Sequence, residues 1–563
     1  MIRNGLKVFA AFSIALLSIF LFYGNADELT DKVDKIFSKW DSTESPGVAL
    51  AIIKDGKILY KRGYGAANLE YNIPITSKTV FMIGSTTKQF TAMCIALLAE
   101  QGKLSLDDNI RNYLPEMPKY SSPIAIRHLI HHTSGVRDSD ILLWLSGKRY
   151  GAFTTDEELL ELLSHQKELN FKPGEEHLYS NAGYFLLSQI VKRASGQSMR
   201  KFAEENIFKP LGMLNTKFVD DHTMIVKNRA TGYSLRENSE YKISISNADY
   251  VGDDGIFTTV EDLFLWDQNF YNNKLGKGGQ GLINQILTPG VLNNGKKLDY
   301  AFGLVVTQHK GLKLIEHGGA WMGYRAQMIR FPEQKFSAIC LANFSNINPS
   351  ELCFKVADIY LANNFIREIE PKKPAAQPKP IILTEKQLKD KVGDYYDPES
   401  GQLAKFSIEN KKLTLHSMRY NVVLSPITET TFVSLDAPVE ISIDFLEKEK
   451  EIRAKIGRGE PVILKSIERI PLNPAQLNEY TGIYYSDEFE VIYNITIQNN
   501  MLLIKIQHGD FTIPLEPVIK DRFLGPMQTF FNFFRDEQNK IKGFTVKAGR
   551  VRNIKFIKEI SLK

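Results

Sequence analysis

The chain has 563 residues, which predicts roughly three or four domains and excludes a single small module. Hydrophobic residues make up 43% and charged residues 24%, close to the averages of globular proteins, so a fibrous repeat or a largely disordered chain is excluded. The formal net charge is only +5 and is not concentrated in a basic stripe, so we expect no nucleic-acid partner.

The N-terminus has the pattern of an export signal. Arg3 and Lys7 precede an uncharged, mainly apolar run, Val8 to Tyr23, and a small-x-small sequence ends at Ala26. Residues 1–26 are therefore predicted to be a signal peptide, which implies an exported protein, periplasmic or secreted. The apolar run is short for a membrane span of about 20 residues, so an uncleaved anchor is the less favoured alternative. Only in that case do we expect contact with a membrane.

Residues 27–366 mix helical and strand-like patterns. Helical spacing over 28–40 is followed by an apolar strand, Val48–Ile53, and a glycine turn into a second strand. After a long helical region come three further strands and a last helix: Leu312–Glu316, Ala326–Phe331, Phe336–Leu341 and Pro349–Phe365. Strands at both ends of a segment predict an α+β domain whose ends share one antiparallel sheet.

A linker and an internal repeat close the chain. Residues 370–380 contain four prolines and no large apolar side chain, so 367–382 is predicted to be a semi-rigid linker. Beyond it, several residues recur 89 positions later: Gly393 as Gly482, Tyr395 as Tyr484 and Leu413 as Leu502. Two β-rich repeats are therefore predicted, 383–470 and 471–563, each the size of a small up-and-down β-barrel.

Ser85 is the first candidate for chemistry. It follows an apolar run and opens a helical stretch in which Lys88 lies three residues on, so a hydroxyl and an amine share one helix face. The helix N-terminus favours anionic character near Ser85. The Ser-x-x-Lys spacing alone is not specific, because three other pairs match it: Ser164 with Lys167, Ser198 with Lys201, and Ser239 with Lys242.

Further motifs follow Ser85 in a fixed order: Ile126-Arg127-His128-Leu129-Ile130-His131-His132-Thr133-Ser134-Gly135, then Pro173-Gly174 leading to Tyr179-Ser180-Asn181, then Gly255-Ile256-Phe257-Thr258-Thr259, and finally His317-Gly318-Gly319-Ala320. This series resembles the serine β-lactamase and penicillin-recognising hydrolase superfamily, specifically its class C-like branch with D-aminopeptidases, D-Ala-D-Ala carboxypeptidases and esterases. The resemblance covers roughly residues 45–345. It implies a multidomain protein with a β-lactamase-like α+β catalytic domain, an antiparallel sheet plus a helical region, followed by two lipocalin-like barrels.

The resemblance also implies roles for the motif residues. Ser85 would be the nucleophile, Lys88 its activating neighbour, and Tyr179 the hydroxyl that shuttles a proton between Ser85 and the leaving group. Asn181 would hydrogen-bond Lys88 and the substrate amide. The sequence leaves open whether Lys88 acts as a neutral base or through a charge that keeps Tyr179 ionised.

The last motif would form the substrate-binding strand. The backbone N–H groups of Ser85 and Ala320 would make the oxyanion hole, and Gly319 would let substrate approach the strand closely. His317 stands where many relatives have a lysine. Because an imidazole is largely neutral at pH 7, a permanent charge for a β-lactam carboxylate is missing, and we do not expect efficient β-lactamase activity.

Several residues have plainer interpretations. The pattern of His128, His131 and His132 lacks the glutamate of a metalloprotease helix, so packing and capping are favoured over metal binding. Thr259 is expected to cap a helix with Asp262. Asp253 and Asp254 could recognise a substrate amine, but a solvated loop is favoured. The three cysteines form no disulfide or zinc pattern and are expected to be buried thiols: Cys94, Cys340 and Cys353.

The sequence thus predicts an exported serine hydrolase that cleaves amide or ester bonds through an acyl-enzyme on Ser85. Peptides containing D-amino acids are the favoured substrates, including ones derived from the cell wall. The alternatives are an esterase or weak β-lactamase of the same family, and a non-catalytic cell-envelope binding protein. No cofactor and no metal are expected. The rim of the second barrel is predicted to narrow the site and set substrate length, against simple wall attachment.

Overall fold

The structure is a computed structural model of the chain, and it describes residues 28–365, 380–397, 403–416, 421–434, 441–446, 450–456, 461–468 and 471–559. The predicted signal peptide, residues 1–26, and all but the last residues of the predicted linker lie outside this part of the chain. None of the described helices is long and apolar enough to cross a membrane.

The described chain divides into two compact units. The N-terminal unit holds residues 28–136, Tyr150–Ser164 and 171–365. The barrel unit holds Arg137–Arg149, His165–Asn170 and the described residues from 380 onward.

The α-helices of the described residues are α1 (28–37), α2 (Lys88–Glu100), α3 (Ile126–Ile130), α4 (Ser139–Leu145), α5 (Asp156–Ser164), α6 (Asn181–Ser195), α7 (Met199–Ala203), α8 (Lys209–Leu211), α9 (Val260–Asn269), α10 (Gln280–Ile286), α11 (Pro349–Tyr360), α12 (Glu385–Lys389) and α13 (Pro474–Asn478). The strands of the N-terminal unit are β1 (Val48–Lys54), β2 (Lys57–Tyr64), β3 (Ala66–Asn68), β4 (Ile73–Pro74), β5 (Phe81–Met82), β6 (Lys217–Phe218), β7 (Tyr233–Leu235), β8 (Tyr241–Ile243), β9 (Ile256–Thr258), β10 (Val305–His309), β11 (Leu312–Trp321), β12 (Tyr324–Phe331) and β13 (Phe336–Ala342).

A six-stranded antiparallel sheet is the centre of the N-terminal unit, with strand order β10-β11-β12-β13-β1-β2. The sequence of β1 is a continuous apolar run, and all its residues but Lys54 are buried, as expected for a strand covered on both faces. Helices α1 and α11 pack on the sheet through apolar side chains such as Phe37 and Val356. The two ends of this unit therefore share one sheet, as the sequence predicted. The three cysteines are buried and free, which is also confirmed.

Two closed eight-stranded barrels form most of the barrel unit. The strands of the first are β14 (Gly393–Tyr396), β15 (Leu403–Glu409), β16 (Lys412–His416), β17 (Asn421–Pro426), β18 (Thr431–Ser434), β19 (Ile441–Leu446), β20 (Glu451–Ile456) and β21 (Val462–Ile467). Those of the second are β22 (Gly482–Ser486), β23 (Val491–Gln498), β24 (Met501–Ile506), β25 (Thr512–Ile519), β26 (Arg522–Gly525), β27 (Thr529–Arg535), β28 (Ile541–Ala548) and β29 (Val551–Lys558). Each barrel is preceded by a short helix with a capping box, α12 or α13, and these two helices also lie 89 positions apart. The predicted fold class is confirmed.

The barrel unit also contains two segments from inside the predicted 27–366 domain, Arg137–Arg149 and His165–Asn170. The side chain of Arg137 is fully buried and pairs with the carboxylate of Glu488 in the second barrel. It also donates a hydrogen bond to Gln166 Oε1 at 3.1 Å. A buried guanidinium needs such a partner, so the second barrel satisfies a charge that comes from the middle of the hydrolase sequence.

Two aromatic side chains make further contacts between α4 and the second barrel. The Tyr493 hydroxyl, buried in the second barrel, donates to the Leu145 carbonyl at the end of α4. The ring of Trp144 stacks on Phe511 with centroids 5.8 Å apart. Sequence reasoning assigned these segments to the hydrolase domain because they are contiguous with it, whereas their side chains pack on the barrel.

Candidate active site

Ser85 lies on a tight turn between a short strand and a long helix. β5 pairs with β9, and the chain then forms a 3-10 turn, Gly84–Thr87, that runs directly into α2. Gly84 has a φ of +50°, and a Cβ there would lie 2.7 Å from the Ala320 nitrogen, so both conformation and space require glycine. Ser85 is partly exposed while its neighbours in the turn are buried, which leaves its hydroxyl accessible.

Lys88 is the first residue of α2, and its side chain is fully buried. Its Nζ lies 3.2 Å from Ser85 Oγ and 2.8 Å from both Asn181 Oδ1 and the Asp253 carbonyl oxygen. The same atom lies 4.9 Å from the centroid of the Tyr179 ring. All three of these partners are neutral oxygens. The predicted catalytic residues Ser85, Lys88 and Tyr179 therefore lie together, with Asn181 beside them.

The histidine-rich turn after α3 holds the segment that carries Tyr179. His132 has a φ of +55°, and its Nδ1 accepts a hydrogen bond from the Ser180 N–H at 3.2 Å. Its carbonyl accepts from the Leu178 N–H at 2.9 Å. The imidazole also packs on the Tyr179 ring with centroids 4.1 Å apart. This histidine thus fixes the backbone on both sides of Tyr179.

The neighbouring histidines have structural contacts as well. His128 Nδ1 accepts from the Ala125 N–H at 3.1 Å, and His131 Nδ1 lies 3.2 Å from the Tyr300 carbonyl. The favoured interpretation, packing and capping, agrees with these contacts. Thr259 caps α9 by accepting from the Asp262 N–H at 3.0 Å, as predicted. Among the described residues, one group has ligand atoms close enough to hold a metal, and it contains none of the predicted site residues: Asp221, His222 and Asp249.

The motif that ends at Ala320 lies on β11, directly against the Ser85 turn. β11 pairs with β12 as far as its last residue, but its pairing with β10 ends at Glu316. A Cβ at Gly319 would lie 1.8 Å from the Ile83 carbonyl oxygen, so only glycine lets the strand pass this close. The Ala320 N–H is thereby brought beside the Ser85 turn, where an oxyanion donor must lie.

His317 is buried in this strand, an environment that favours the neutral imidazole. Burial, together with the charge of Lys88, lowers the pKa of His317 to about 4, while a hydrogen bond to the Gly318 carbonyl acts in the opposite sense. Its Nδ1 lies 2.6 Å from the Gly318 oxygen, and its Nε2 lies 3.0 Å from the Tyr300 hydroxyl. The site therefore holds no permanent cation at this position.

Three features of the site were not predicted from the sequence. The expectation that Asp253 and Asp254 lie in a solvated loop is wrong, because they are only 3% and 8% exposed. The flanking glycines were the available signal, since Gly252 and Gly255 both have a positive φ and mark a tight turn before β9. The contact of the Asp253 carbonyl with Lys88 and the position of Tyr300 in the site could not be predicted, because no sequence motif indicates either.

The other Ser-x-x-Lys serines make local hydrogen bonds. The Ser164 hydroxyl donates to the Glu161 carbonyl at 2.8 Å, and the Ser198 hydroxyl accepts from the Lys201 N–H at 3.3 Å. The backbone N–H of Ser239 donates to the Arg236 carbonyl at 3.0 Å. Ser198 is a helix N-cap, which explains its spacing from a lysine without any chemistry.

The fold and this site define the class of protein. The profile of the Beta-lactamase family matches residues 33–360, so the chain belongs to this family and is a serine hydrolase. The resemblance inferred from the motifs is confirmed.

Particular relatives extend this result. Penicillin-binding protein 4* of Bacillus subtilis is 30% identical over 415 residues, which cover 70% of this chain and 89% of that protein. A D-aminopeptidase of Brucella canis is 25% identical over 533 residues, covering 91% of this chain and 96% of that protein. The octameric penicillin-binding protein homologue from Pyrococcus abyssi shares the fold with a TM-score of 0.54 at 24% identity, over 79% of this chain and 100% of that one.

Proposed function

We propose that this serine hydrolase is an exported peptidase that forms an acyl-enzyme on Ser85 and prefers peptides containing D-amino acids. The observation that carries the acyl-enzyme is the contact of the buried Lys88 Nζ with Ser85 Oγ at 3.2 Å. A serine hydroxyl is a weak nucleophile, and an amine held at this distance can take its proton as the hydroxyl attacks.

In this mechanism Ser85 Oγ attacks the carbonyl carbon of the substrate, and its proton passes to Lys88. Tyr179, whose ring lies beside the lysine, relays that proton to the leaving amine as the C–N bond breaks. The N–H groups of Ser85 and Ala320 stabilise the oxyanion, each contributing about 10²–10³ in rate. Water then hydrolyses the acyl ester, with the same groups acting in reverse.

The substrate class is proposed on three grounds. The neutral His317 offers no permanent charge for the carboxylate of a β-lactam. The edge of β11 that lies against the Ser85 turn suits an extended peptide backbone. A D-aminopeptidase is similar to 91% of the length of this chain, barrels included.

Export is proposed from the signal-like pattern of residues 1–26.

The proposal is tested first with a fluorophosphonate probe on intact protein. We expect labelling of wild type, loss of labelling in Ser85→Ala, and normal labelling in Ser164→Ala, which removes the hydroxyl of another Ser-x-x-Lys pair. Labelling that survives in Ser85→Ala would contradict the proposed nucleophile.

Substrate choice is tested with matched D- and L-amino-acid amides, a D-Ala-D-Ala peptide, a short-chain ester and a chromogenic cephalosporin. The proposal expects kcat/KM to be highest for a substrate with a D-residue next to the cleaved bond. An L-enantiomer cleaved equally well, or turnover of the ester alone, would contradict the proposed specificity while leaving the acyl-enzyme intact.

A further inference from the structure

Tyr300 lies just before β10, buried among the aromatic side chains of the site. Its ring stands at 90° to the Tyr179 ring with centroids 6.2 Å apart, and it lies 4.6 Å from the His132 ring. Its hydroxyl reaches His317 Nε2 at 3.0 Å. No motif marks this tyrosine, and the mechanism above does not use it.

The partners of His317 fix the direction of both its hydrogen bonds. Nδ1 lies 2.6 Å from the Gly318 carbonyl oxygen, which can only accept, so Nδ1 carries the hydrogen. A neutral imidazole has one N–H, so Nε2 must accept and the Tyr300 hydroxyl must donate. Burial supports this assignment, because it lowers the pKa of His317 to about 4 and raises the pKa of Tyr300 well above its ordinary value of 10.

The Gly318 carbonyl belongs to a peptide unit that pairs with β12 on one side only. Gly318 and Gly319 are consecutive glycines, which have the widest backbone freedom of any residues, and β10 no longer pairs with β11 at this point. Close packing against Ile83 excludes a side chain at Gly319. The imidazole N–H is therefore a hydrogen-bond restraint on the peptide plane that directly precedes the unit donating the Ala320 N–H.

We propose that Tyr300 is a positioning residue for the oxyanion hole: its hydroxyl holds His317 in the Nδ1–H tautomer, and that N–H fixes the glycine peptide next to Ala320. This inference rests on the proposed function, since it assigns Ala320 as an oxyanion donor. It predicts that Tyr300 acts on the transition state and not on substrate binding, because the oxyanion exists only there.

The test combines Tyr300→Phe, which keeps the ring and removes the hydroxyl, with Tyr324→Phe as a matched control. The Tyr324 hydroxyl is equally buried in the same unit and donates to the Ala230 carbonyl. The tautomer of His317 is read from ¹⁵N shifts of histidine-labelled protein, with the resonance assigned by its loss in His317→Asn. Steady-state kinetics on the best D-residue substrate provide the second measurement.

We expect wild type and Tyr324→Phe to show a protonated Nδ1 and an unprotonated Nε2, and Tyr300→Phe to show Nε2 protonated in a measurable fraction. We also expect Tyr300→Phe to lower kcat about ten- to a hundredfold with KM nearly unchanged, and to cost little more in a His317→Asn background. An Nε2–H tautomer in wild type, an unchanged tautomer in Tyr300→Phe, or an unchanged kcat would each overturn the inference. If Tyr300→Phe does not fold, the wild-type spectrum still tests the inference, because an Nε2–H tautomer in wild type would overturn it. Absence of turnover in wild type would instead refute the proposed function.

Discussion

Lys88 in the N-terminal unit and Arg137 in the barrel unit are both buried basic side chains, 0% and 1% exposed, but their partners differ. The partners of Lys88 are a hydroxyl, an amide oxygen and a backbone carbonyl, whereas Arg137 pairs with the carboxylate of Glu488. A guanidinium stays protonated in proteins, so Arg137 cannot exchange a proton, but an amine can.

This difference separates a reactive amine from a structural charge. The three neutral oxygens around Lys88 orient its amine toward Ser85. Arg137 instead joins α4 and its flanking residues to the second barrel. Removing Lys88 should therefore damage chemistry, and removing Arg137 or its partner should damage stability.

The largest effect is expected at the catalytic pair. Ser85→Ala should lower kcat/KM at least about 10³-fold, and adding Lys88→Ala should cost little more, because residues that act as a unit are not additive. Thermal unfolding should show that both variants fold. The comparison fails if the two losses add, since Lys88 would then act independently of Ser85.

The next largest effect is expected in the barrel unit. Glu488→Leu leaves the Arg137 charge buried without its carboxylate, which should lower the free energy of unfolding by about 3–5 kcal/mol. Urea unfolding measures the loss, and the double variant with Arg137→Met should recover part of it. The rate of Ser85 labelling below the unfolding transition should not change; a change there would show that this ion pair also serves the chemistry.

Acidification should act on the N-terminal unit through its buried histidines. Burial lowers the pKa of both His131 and His317 to about 4, while the unfolded chain binds these protons near pH 6.5. Between these values the unfolded state binds more protons, so the free energy of unfolding should decrease as pH falls, by up to ~3 kcal/mol per histidine. Urea unfolding at pH 7, 6 and 5 measures the slope, which should be shallower in His131→Asn. Equal stability at pH 7 and 5 would contradict the burial of neutral histidines.

The smallest effect concerns the predicted influence of the second barrel on substrate length. Tyr493→Phe removes the hydrogen bond to the Leu145 carbonyl, which should cost about 1 kcal/mol of stability. Because α4 follows the His132 turn closely in the chain, we expect the ratio of kcat/KM on long peptides to that on short peptides to differ from the wild-type ratio. A ratio identical to that of wild type would favour barrels that act as independent modules.

Most of the fold and of the site could be predicted from the sequence because both depend on local patterns. The alternating pattern of the strands, the repeat at an offset of 89 residues and the ordered motifs can all be recognised in the sequence. What it missed depends on distant contacts: the Asp253 carbonyl that holds Lys88, the hydroxyl of Tyr300 on His317, and Glu488 beside Arg137. Such partners lie far apart in the chain, and nothing in their local sequence indicates the pairing.

The acyl-enzyme itself gives the most direct test of the central claim. Wild-type protein is mixed with the best D-residue substrate, quenched in acid during turnover, and digested with trypsin, which releases Thr79–Lys88 with Ser85 inside it. We predict that this peptide gains the mass of the acyl group, that fragmentation places the group on Ser85, and that Ser85→Ala gains none. Full turnover with no adduct on this peptide, or an adduct on another residue, would contradict the assignment of Ser85 as the nucleophile.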